Sequence, residues 1–363
     1  MAIQNSTQTG RTGSQKDVVL DIEETNVHFD LSRGTSQVLN DVNLEVERGE
    51  ILAVVGESGS GKSMFAASIL DAVEDPGVTT GDITYYPKGQ THARLDDEAI
   101  DVLDLNEKQL SALRWEDISM VFQGAMNSFN PTMKIRTHFE ETVRAHDADL
   151  DACMEHVADV FDALHLDMGR VLNSYPHELS GGMKQRALIA LSLVLEPNVL
   201  VMDEPTAALD MLMQRSIISM LRELRDTFDL TIVFVTHDLP LVAGLSDRIA
   251  VMYAFEFVEV GPTRELLLDA AHPYTRALLR SVPNVDTKIE EMEAIEGASP
   301  DPVNIPQGCS YHPRCPLADD RCEANDPEMH AADPGHEAAC YYVDEARETV
   351  PYLLHGAERG DAR

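Results

Sequence analysis

The chain has 363 residues, 44% of them apolar, which is enough for one large domain with a smaller one or for two medium domains. Its 63 acidic residues face 28 basic ones, a formal net charge of −35, which excludes a broad basic surface for sequence-independent nucleic-acid binding. No apolar run reaches the ~18–20 residues of a membrane-spanning helix, so any membrane role has to come through a partner.

Only 7 of the 28 basic residues are Lys. The apolar content is too high for general disorder, so the acidity reads as a carboxylate-coated, halophilic surface on a folded protein.

Residues 1–17 are polar and lack the apolar core of a signal peptide, so they read as a tail on a protein that stays in the cytoplasm. Residues 18–23 (VVLDIE) and 41–47 (DVNLEVE) alternate in polarity like half-buried antiparallel strands. Residues 51–55 (ILAVV) form a continuous apolar run, as a buried parallel strand does, and MFAASILDAV after them reads as helix. Residues 80–122 suggest short strands and polar turns ending on ISMVF. Residues 137–172 are helical in pattern, with Val157, Val160, Phe161 and Leu164 at helical spacing; 181–195 continue as helix, and Cys153 reads as a small core residue. VLVMD (199–203) and TIVFV (231–235) are two more buried strands separated by a helix over 213–228. That alternation implies an α/β fold with a parallel sheet and helices on its faces. Beyond 262–265 Pro and acidic runs become frequent, which marks a boundary, and no internal repeat is evident.

Gly56-Glu57-Ser58-Gly59-Ser60-Gly61-Lys62-Ser63 matches the phosphate-binding loop, with a buried strand before it and a helix after it. Glycines let successive N–H groups aim at phosphate oxygens, and the helix adds its positive end. Lys62 is placed to reach the β- and γ-phosphates and the Ser63 hydroxyl to ligate Mg²⁺. Asp203-Glu204 closes an otherwise apolar strand at the end where nucleotide sites lie in open α/β sheets. Asp203 is the candidate to hold Mg²⁺ through water, and Glu204 to position or deprotonate the attacking water. Leu179-Ser180-Gly181-Gly182-Met183-Lys184-Gln185-Arg186 sets Ser and two Gly at a helix start, a second anion site.

These motifs together resemble the ATP-binding cassette family over about residues 18–262. Met183 stands where the family signature usually has Gln, as in oligopeptide-type importers. The resemblance implies an ATPase with an antiparallel β subdomain, a RecA-like parallel-sheet core and a helical subdomain at about 124–185. It implies that Ser180, Gly181 and Gly182 contact the γ-phosphate held by a partner subunit. Gln123 matches the Q-loop glutamine that senses Mg²⁺ and water, and Asp210, in Ala208-Leu209-Asp210, matches the D-loop. His237 matches the switch histidine, and Phe29 the aromatic that stacks on adenine.

Two further stretches resemble the oligopeptide/dipeptide importer subfamily. One is His272-Pro273-Tyr274-Thr275. The other is the block Cys309-x5-Cys315-x6-Cys322-x17-Cys340, which contains HPRCP. FQGAMNSFNP after Val121 also fits. The C-terminal domain expected from this runs over 263–345, with a tail over 346–363. Four thiolates can hold zinc or a [4Fe–4S] cluster, and the block can equally hold no metal; no spacing is as short as a zinc knuckle, and the resemblance favours the cluster, in a structural or regulatory role. One departure is Met252-Tyr253-Ala254-Phe255, where the family usually ends in Gly; it is expected to alter a tight turn away from any catalytic position.

The implied function is an ATP-hydrolysing subunit at the cytoplasmic face of the membrane that powers import of di- or oligopeptides or a related solute. Its implied partners are a second ATPase subunit in a heterodimer, two transmembrane permease subunits and an extracytoplasmic substrate-binding protein, with no nucleic acid. The alternative is a soluble cassette ATPase of the DNA-repair or translation type, and single-cassette organisation, the HPYT segment and the charge weigh against it.

The halophilic reading makes a prediction. Salt shortens the reach of carboxylate repulsion from about 30 Å at 0.01 M to about 3 Å at 1 M. The thermal midpoint is therefore expected to climb by several degrees as KCl rises over that range. Equal stability in dilute buffer contradicts the reading.

Overall fold

The computed structural model describes residues 17–88, 98–124, 128–206, 210–281 and 295–351. β1 (Val18–Leu31) and β2 (Gly34–Glu47) pair antiparallel, with Leu20, Ile22 and Val27 buried and Glu23 and Glu24 in water. Both run well past the apolar alternation visible in the sequence, because the ladder continues through polar residues 28–38. The buried strand β3 (Ile51–Val55) and helix α1 (Lys62–Ser68) come next. β4 (Gly77–Tyr85) then pairs with the other side of β1, and β5 (Ile100–Asp101) completes a first sheet of order β2-β1-β4-β5.

Helix α2 (Glu107–Glu116) stands where strands and turns were expected. Its signal was a capping box: the Asn106 side chain accepts from the Gln109 N–H, and Gln109 accepts from the Asn106 N–H. The helix kinks at Arg114 and Trp115, which weakens its periodicity.

After β6 (Ile118–Val121) the single helical pattern over 137–172 resolves into α3 (Ile135–Ala145), α4 (Leu150–Ala163) and α5 (Met168–Asn173). The breaks fall at Asp147 (φ 56°) and His165 (φ 52°), and Asp149 and Asp167 cap the helices that follow. With α6 (Gly181–Ser192) these helices bury Phe139, Val157, Phe161 and Leu164 in one cluster, the two rings 5.9 Å apart. Cys153 packs against that cluster.

The rest of the chain is β7 (Val199–Asp203), α7 (Met211–Phe228), β8 (Thr231–Val235), α8 (Leu239–Ala243), β9 (Arg248–Tyr253), β10 (Glu256–Pro262), α9 (Thr263–Leu268), α10 (Pro273–Ser281), α11 (Asp320–Ala324), β11 (His330–Asp333), β12 (His336–Ala338) and α12 (Val343–Thr349). The second sheet has the order β11-β12-β10-β9-β3-β8-β7-β6. Its members from β9 to β6 are parallel, and every residue of β3, β7 and β8 is buried. The Tyr85 hydroxyl joins the two sheets: it donates to Asp117 (3.0 Å) and accepts from Asn198 (2.9 Å), just before β6 and β7.

The C-terminal extension continues this second sheet. β12 pairs antiparallel with β10 through Glu259↔Ala338 and Val260↔Glu337, and β11 pairs with β12. HAAD and HEA have no apolar alternation, so their sequence did not suggest strands. The seam is held by Glu259, fully buried, which accepts from the Ala271 N–H (2.6 Å), the His272 N–H (3.0 Å) and His336 Nε2 (2.7 Å). α12 carries the fold through Thr349, and Ala346 is buried.

The β9–β10 hairpin turns on Ala254 (φ 48°) and Phe255 (φ 76°), both left-handed. This is the turn where Gly was expected. The turn touches the phosphate loop and no catalytic candidate: the Phe255 N–H donates to the Ser60 carbonyl (3.0 Å), and the Phe255 carbonyl accepts from the Asn40 N–H (2.9 Å). The Phe255 ring is buried, and burying such a ring is worth roughly 1.5–3 kcal/mol, against roughly 1–2 kcal/mol for the left-handed backbone. Phe255→Ala loses the ring and keeps the strain, whereas Phe255→Gly loses both. The Gly variant is therefore expected to melt higher than the Ala variant, the reverse of the usual order. A lower midpoint for Gly removes the strain argument.

Candidate active site

The phosphate loop follows directly from β3. A Cβ on Gly56 would lie 2.1 Å from the Met252 carbonyl oxygen of β9, so only Gly lets the chain pass. Gly61 has φ 109°, and a Cβ there would meet the Val38 carbonyl of β2 at 2.8 Å. The loop is thus pressed between β2 and β9, and α1 starts at Lys62 with no side-chain cap over its first N–H groups.

Lys62 is buried, and its Nζ donates to the carbonyls of Gly56 (2.9 Å) and Glu57 (2.7 Å) and lies 3.4 Å from Ser60 Oγ. Burial lowers its pKa from the ordinary lysine value, while Glu204, Asp203 and Glu57 pull the other way. The ammonium therefore sits in a pocket of carbonyls and carboxylates.

β7 and β8 carry the opposing groups. The Ser63 hydroxyl donates to Asp203 Oδ1 (3.1 Å). Burial raises the Asp203 pKa; the Ser63 hydrogen bond and Lys62 lower it, and the neighbouring Glu204 charge raises it. Glu204 has φ 45°, a left-handed conformation that costs a non-glycine residue roughly 1–2 kcal/mol. Its N–H is tied to the Val235 carbonyl at 2.9 Å. This turn aims the carboxylate between two partners: Gln123 Nε2 donates to Oε2 (2.9 Å), and His237 Nδ1 lies 2.9 Å from Oε1. Lys62, Ser63, Gln123, Asp203, Glu204 and His237 thus converge on one edge of the parallel sheet.

The signature residues form a second locus. Ser180 caps α6 by accepting from the Met183 N–H (3.3 Å), and Ser180 and Gly181 are exposed. A Cβ on Gly182 would meet the end of the Met213 side chain at 1.8 Å, so the small residue accommodates the first turn of α7. Asp210 caps that turn, accepting from the Leu212 and Met213 N–H groups (3.1 and 3.0 Å). Ala208 and Leu209 lie outside the described residues, as do 125–127 of the FQGAMNSFNP stretch. Phe29 is half-buried on β1, packed against the core, and a Cβ on Gly77 would meet its ring at 2.8 Å.

Sequence reasoning singled out HPYT and HPRCP without connecting them to the phosphate loop. The Tyr274 hydroxyl accepts from the Glu57 N–H (2.9 Å), and Arg314 pairs with the Glu57 carboxylate (2.7 Å). Both motifs were visible; the contacts span more than 200 residues of chain, so no local signal announces them.

The iron–sulfur expectation is corrected. Cys309, Cys315, Cys322 and Cys340 line one small cavity of about 10 Å³, with Tyr311 and His272 among the other walls. That is about one water-sized space and does not fit a [4Fe–4S] cluster. Among the described residues no group of three or more His, Cys, Asp or Glu side chains is arranged to hold a metal ion, which removes the zinc alternative as well. Burial pushes the thiols of Cys309 and Cys340 up to about 12, and those of Cys315 and Cys322 above the ordinary value. Cysteine count and spacing had suggested a ligand set; the packing places these thiols in a mostly apolar wall.

Residues 39–207 match the family model described as ABC transporter, and residues 258–322 match the one described as oligopeptide/dipeptide transporter, C-terminal region. The chain is 36% identical over 333 residues to the dipeptide transport ATP-binding protein DppD of Caldanaerobacter subterraneus subsp. tengcongensis, covering 91% of this chain and 98% of that protein. It is 37% identical over 326 residues to the oligopeptide transport ATP-binding protein OppD of Salmonella typhimurium, covering 89% and 93%. Among solved structures, an ATP-binding cassette in a dimeric, post-hydrolysis state bound to ADP and Pi superposes with a TM-score of 0.56 at 25% identity, over 68% of this chain and 99% of that one. The chain is an ATPase of the ATP-binding cassette transporter family, in the branch that carries the oligopeptide/dipeptide transporter C-terminal region.

Proposed function

We propose that this ATPase powers import of dipeptides, oligopeptides or a related solute from the cytoplasmic face of the membrane. Its partners in this reading are a second, related ATPase subunit, two transmembrane permease subunits and an extracytoplasmic substrate-binding protein. One observation carries the reading: a complete phosphate-handling edge is built into the same sheet as the C-terminal region that matches oligopeptide/dipeptide transporters. Among the described residues no helix is long and apolar enough to cross a membrane; in this reading the permease subunits supply the pathway for solute.

The chemistry follows from the side chains. Lys62 exchanges the carbonyls of Gly56 and Glu57 for β- and γ-phosphate oxygens. Mg²⁺ screens phosphate charge; the hard oxygen donors Ser63 and Asp203, 3.1 Å apart, fit its preference and would hold it with Gln123. Glu204, steadied by Gln123 and His237, positions a water in line with the γ-phosphorus and takes its proton. His237, half-exposed, also faces the γ-phosphate. Phe29 stacks on adenine from the first sheet. Ser180, Gly181 and Gly182 serve the ATP bound by the second ATPase subunit, and Asp210 holds the turn beside them. Closing two such subunits on ATP and reopening them after hydrolysis drives the permeases between their two orientations.

Positioned proton transfer is worth about 10²–10⁴ in rate. Glu204→Gln is therefore expected to cut ATP turnover at least about a hundredfold with little loss of nucleotide affinity, and His237→Ala about tenfold or more. In vesicles holding the assembled transporter, Glu204→Gln is expected to abolish ATP-driven uptake of a labelled dipeptide. Turnover at the wild-type rate in Glu204→Gln would sink the assignment of Glu204. Failure of the wild-type assembly to take up any peptide would sink the substrate class.

A further inference from the structure

We propose that Arg314 and Tyr274 of the C-terminal extension are positioning residues for ATP binding, which hold the phosphate loop through Glu57. The proposal rests on the ATPase reading of the loop and adds a control point to it.

Glu57 is gripped at both ends. Its backbone N–H donates to the Tyr274 hydroxyl at 2.9 Å. Its carboxylate takes a two-pronged pair from Arg314, Nη1 to Oε2 at 2.7 Å and Nη2 to Oε1 at 3.1 Å. Such fork-to-fork pairs are short, strong and directional. The Arg314 side chain is only 6% exposed and that of Glu57 23%, so water screens the pair only in part.

A guanidinium has five N–H donors, and all five are used here. Nε donates to the Glu296 carbonyl (2.7 Å), Nη1 to Glu57 and the Tyr253 hydroxyl (3.3 Å), and Nη2 to Glu57 and the Ile295 carbonyl (3.4 Å). The guanidinium also lies 5.7 Å from the centre of the Tyr253 ring. A fully engaged planar group has one position, and it fixes the carboxylate it holds.

Glu57 matters because it is also a partner of Lys62, whose Nζ donates to the Glu57 carbonyl at 2.7 Å. The chain of contact runs from Arg314 and Tyr274, through Glu57, to the ammonium that meets the phosphates. Charge adds a second effect. Glu57 is a carboxylate inside a loop that has to accept a polyanion, and like charges in a poorly screened site repel strongly. Arg314 neutralises that carboxylate. Without it, Glu57 would oppose the nucleotide.

The test is equilibrium binding of a fluorescent ATP analogue with Mg²⁺ to the full-length chain, which does not depend on hydrolysis. Arg314→Gln is expected to weaken binding about tenfold, and Tyr274→Phe, which loses one hydroxyl, two- to threefold. Arg314→Lys keeps the charge without the fork and is expected to fall between wild type and Arg314→Gln. In the Arg314→Gln/Glu57→Gln double variant the repelling carboxylate is gone, and affinity is expected to return to within about threefold of wild type. In steady-state hydrolysis the loss is expected in KM more than in kcat, since Glu204, Gln123 and His237 are untouched. Rescue by Glu57→Gln is the outcome that a merely structural role for Arg314 would not give. Wild-type affinity in Arg314→Gln overturns the proposal, and so does a double variant as weak as the product of the two single losses. If wild-type protein binds the analogue but hydrolyses no ATP, the catalytic reading fails while the binding series still decides this one.

Discussion

The hydrogen-bond register of three buried parallel strands decides where chemistry can happen in this protein. Val54 of β3 is level with Val235 of β8, and Val235 is level with Asp203 of β7. The residues just past that line are Gly56, Glu204, Thr236 and His237, so the loop that begins at Gly56, the carboxylates of Asp203 and Glu204 and the His237 ring emerge at one edge. The strands hold this alignment because every one of their residues is buried. A slip of one residue would turn their apolar side chains to the opposite faces and carry the functional groups out of line.

Electrostatics tunes what the register assembles. Lys62 is a buried cation that feels Glu57, Asp203 and Glu204. In a chain with a net charge of −35, a site for a polyanion has to be shielded locally. The loop does this with Lys62 and the first turn of α1, and Arg314 cancels the loop's own carboxylate. The cost of the arrangement appears in the backbone: Glu204 and Phe255 are both left-handed, Phe255 bonded to Ser60 of the loop and Glu204 to Gln123 and His237. Strain of this kind persists where surrounding contacts over-determine it. Here the Val235 carbonyl holds Glu204, and Ser60 and Asn40 hold Phe255.

Much of this was legible in the sequence, and the reason is local. A phosphate loop, a strand ending in Asp-Glu and a strand ending in His each encode their geometry within a few residues. The three buried strands were equally plain, because an unbroken run of Val, Ile and Leu has few other uses. What stayed hidden depends on distant partners. β12 is made by docking on β10, and β11 by pairing with β12, not by their own pattern. The grip of Tyr274 and Arg314 on Glu57 bridges most of the chain. The cysteines show the converse hazard: four thiols in one stretch suggested a ligand set, and packing placed them around a cavity of about 10 Å³ instead. The Phe255 turn bonds to the phosphate loop through backbone atoms that carry no sequence signature.

The most direct test of the central claim is the affinity of the chain for Mg–ATP with and without the Lys62 ammonium, measured by equilibrium dialysis. Charge-assisted hydrogen bonds contribute about 1.5–3 kcal/mol each, so Lys62→Ala is expected to weaken binding at least about tenfold while the fold, capped and packed elsewhere, stays intact. Equal affinity in folded Lys62→Ala protein would contradict the assignment of residues 56–63 as the place where this protein holds its nucleotide.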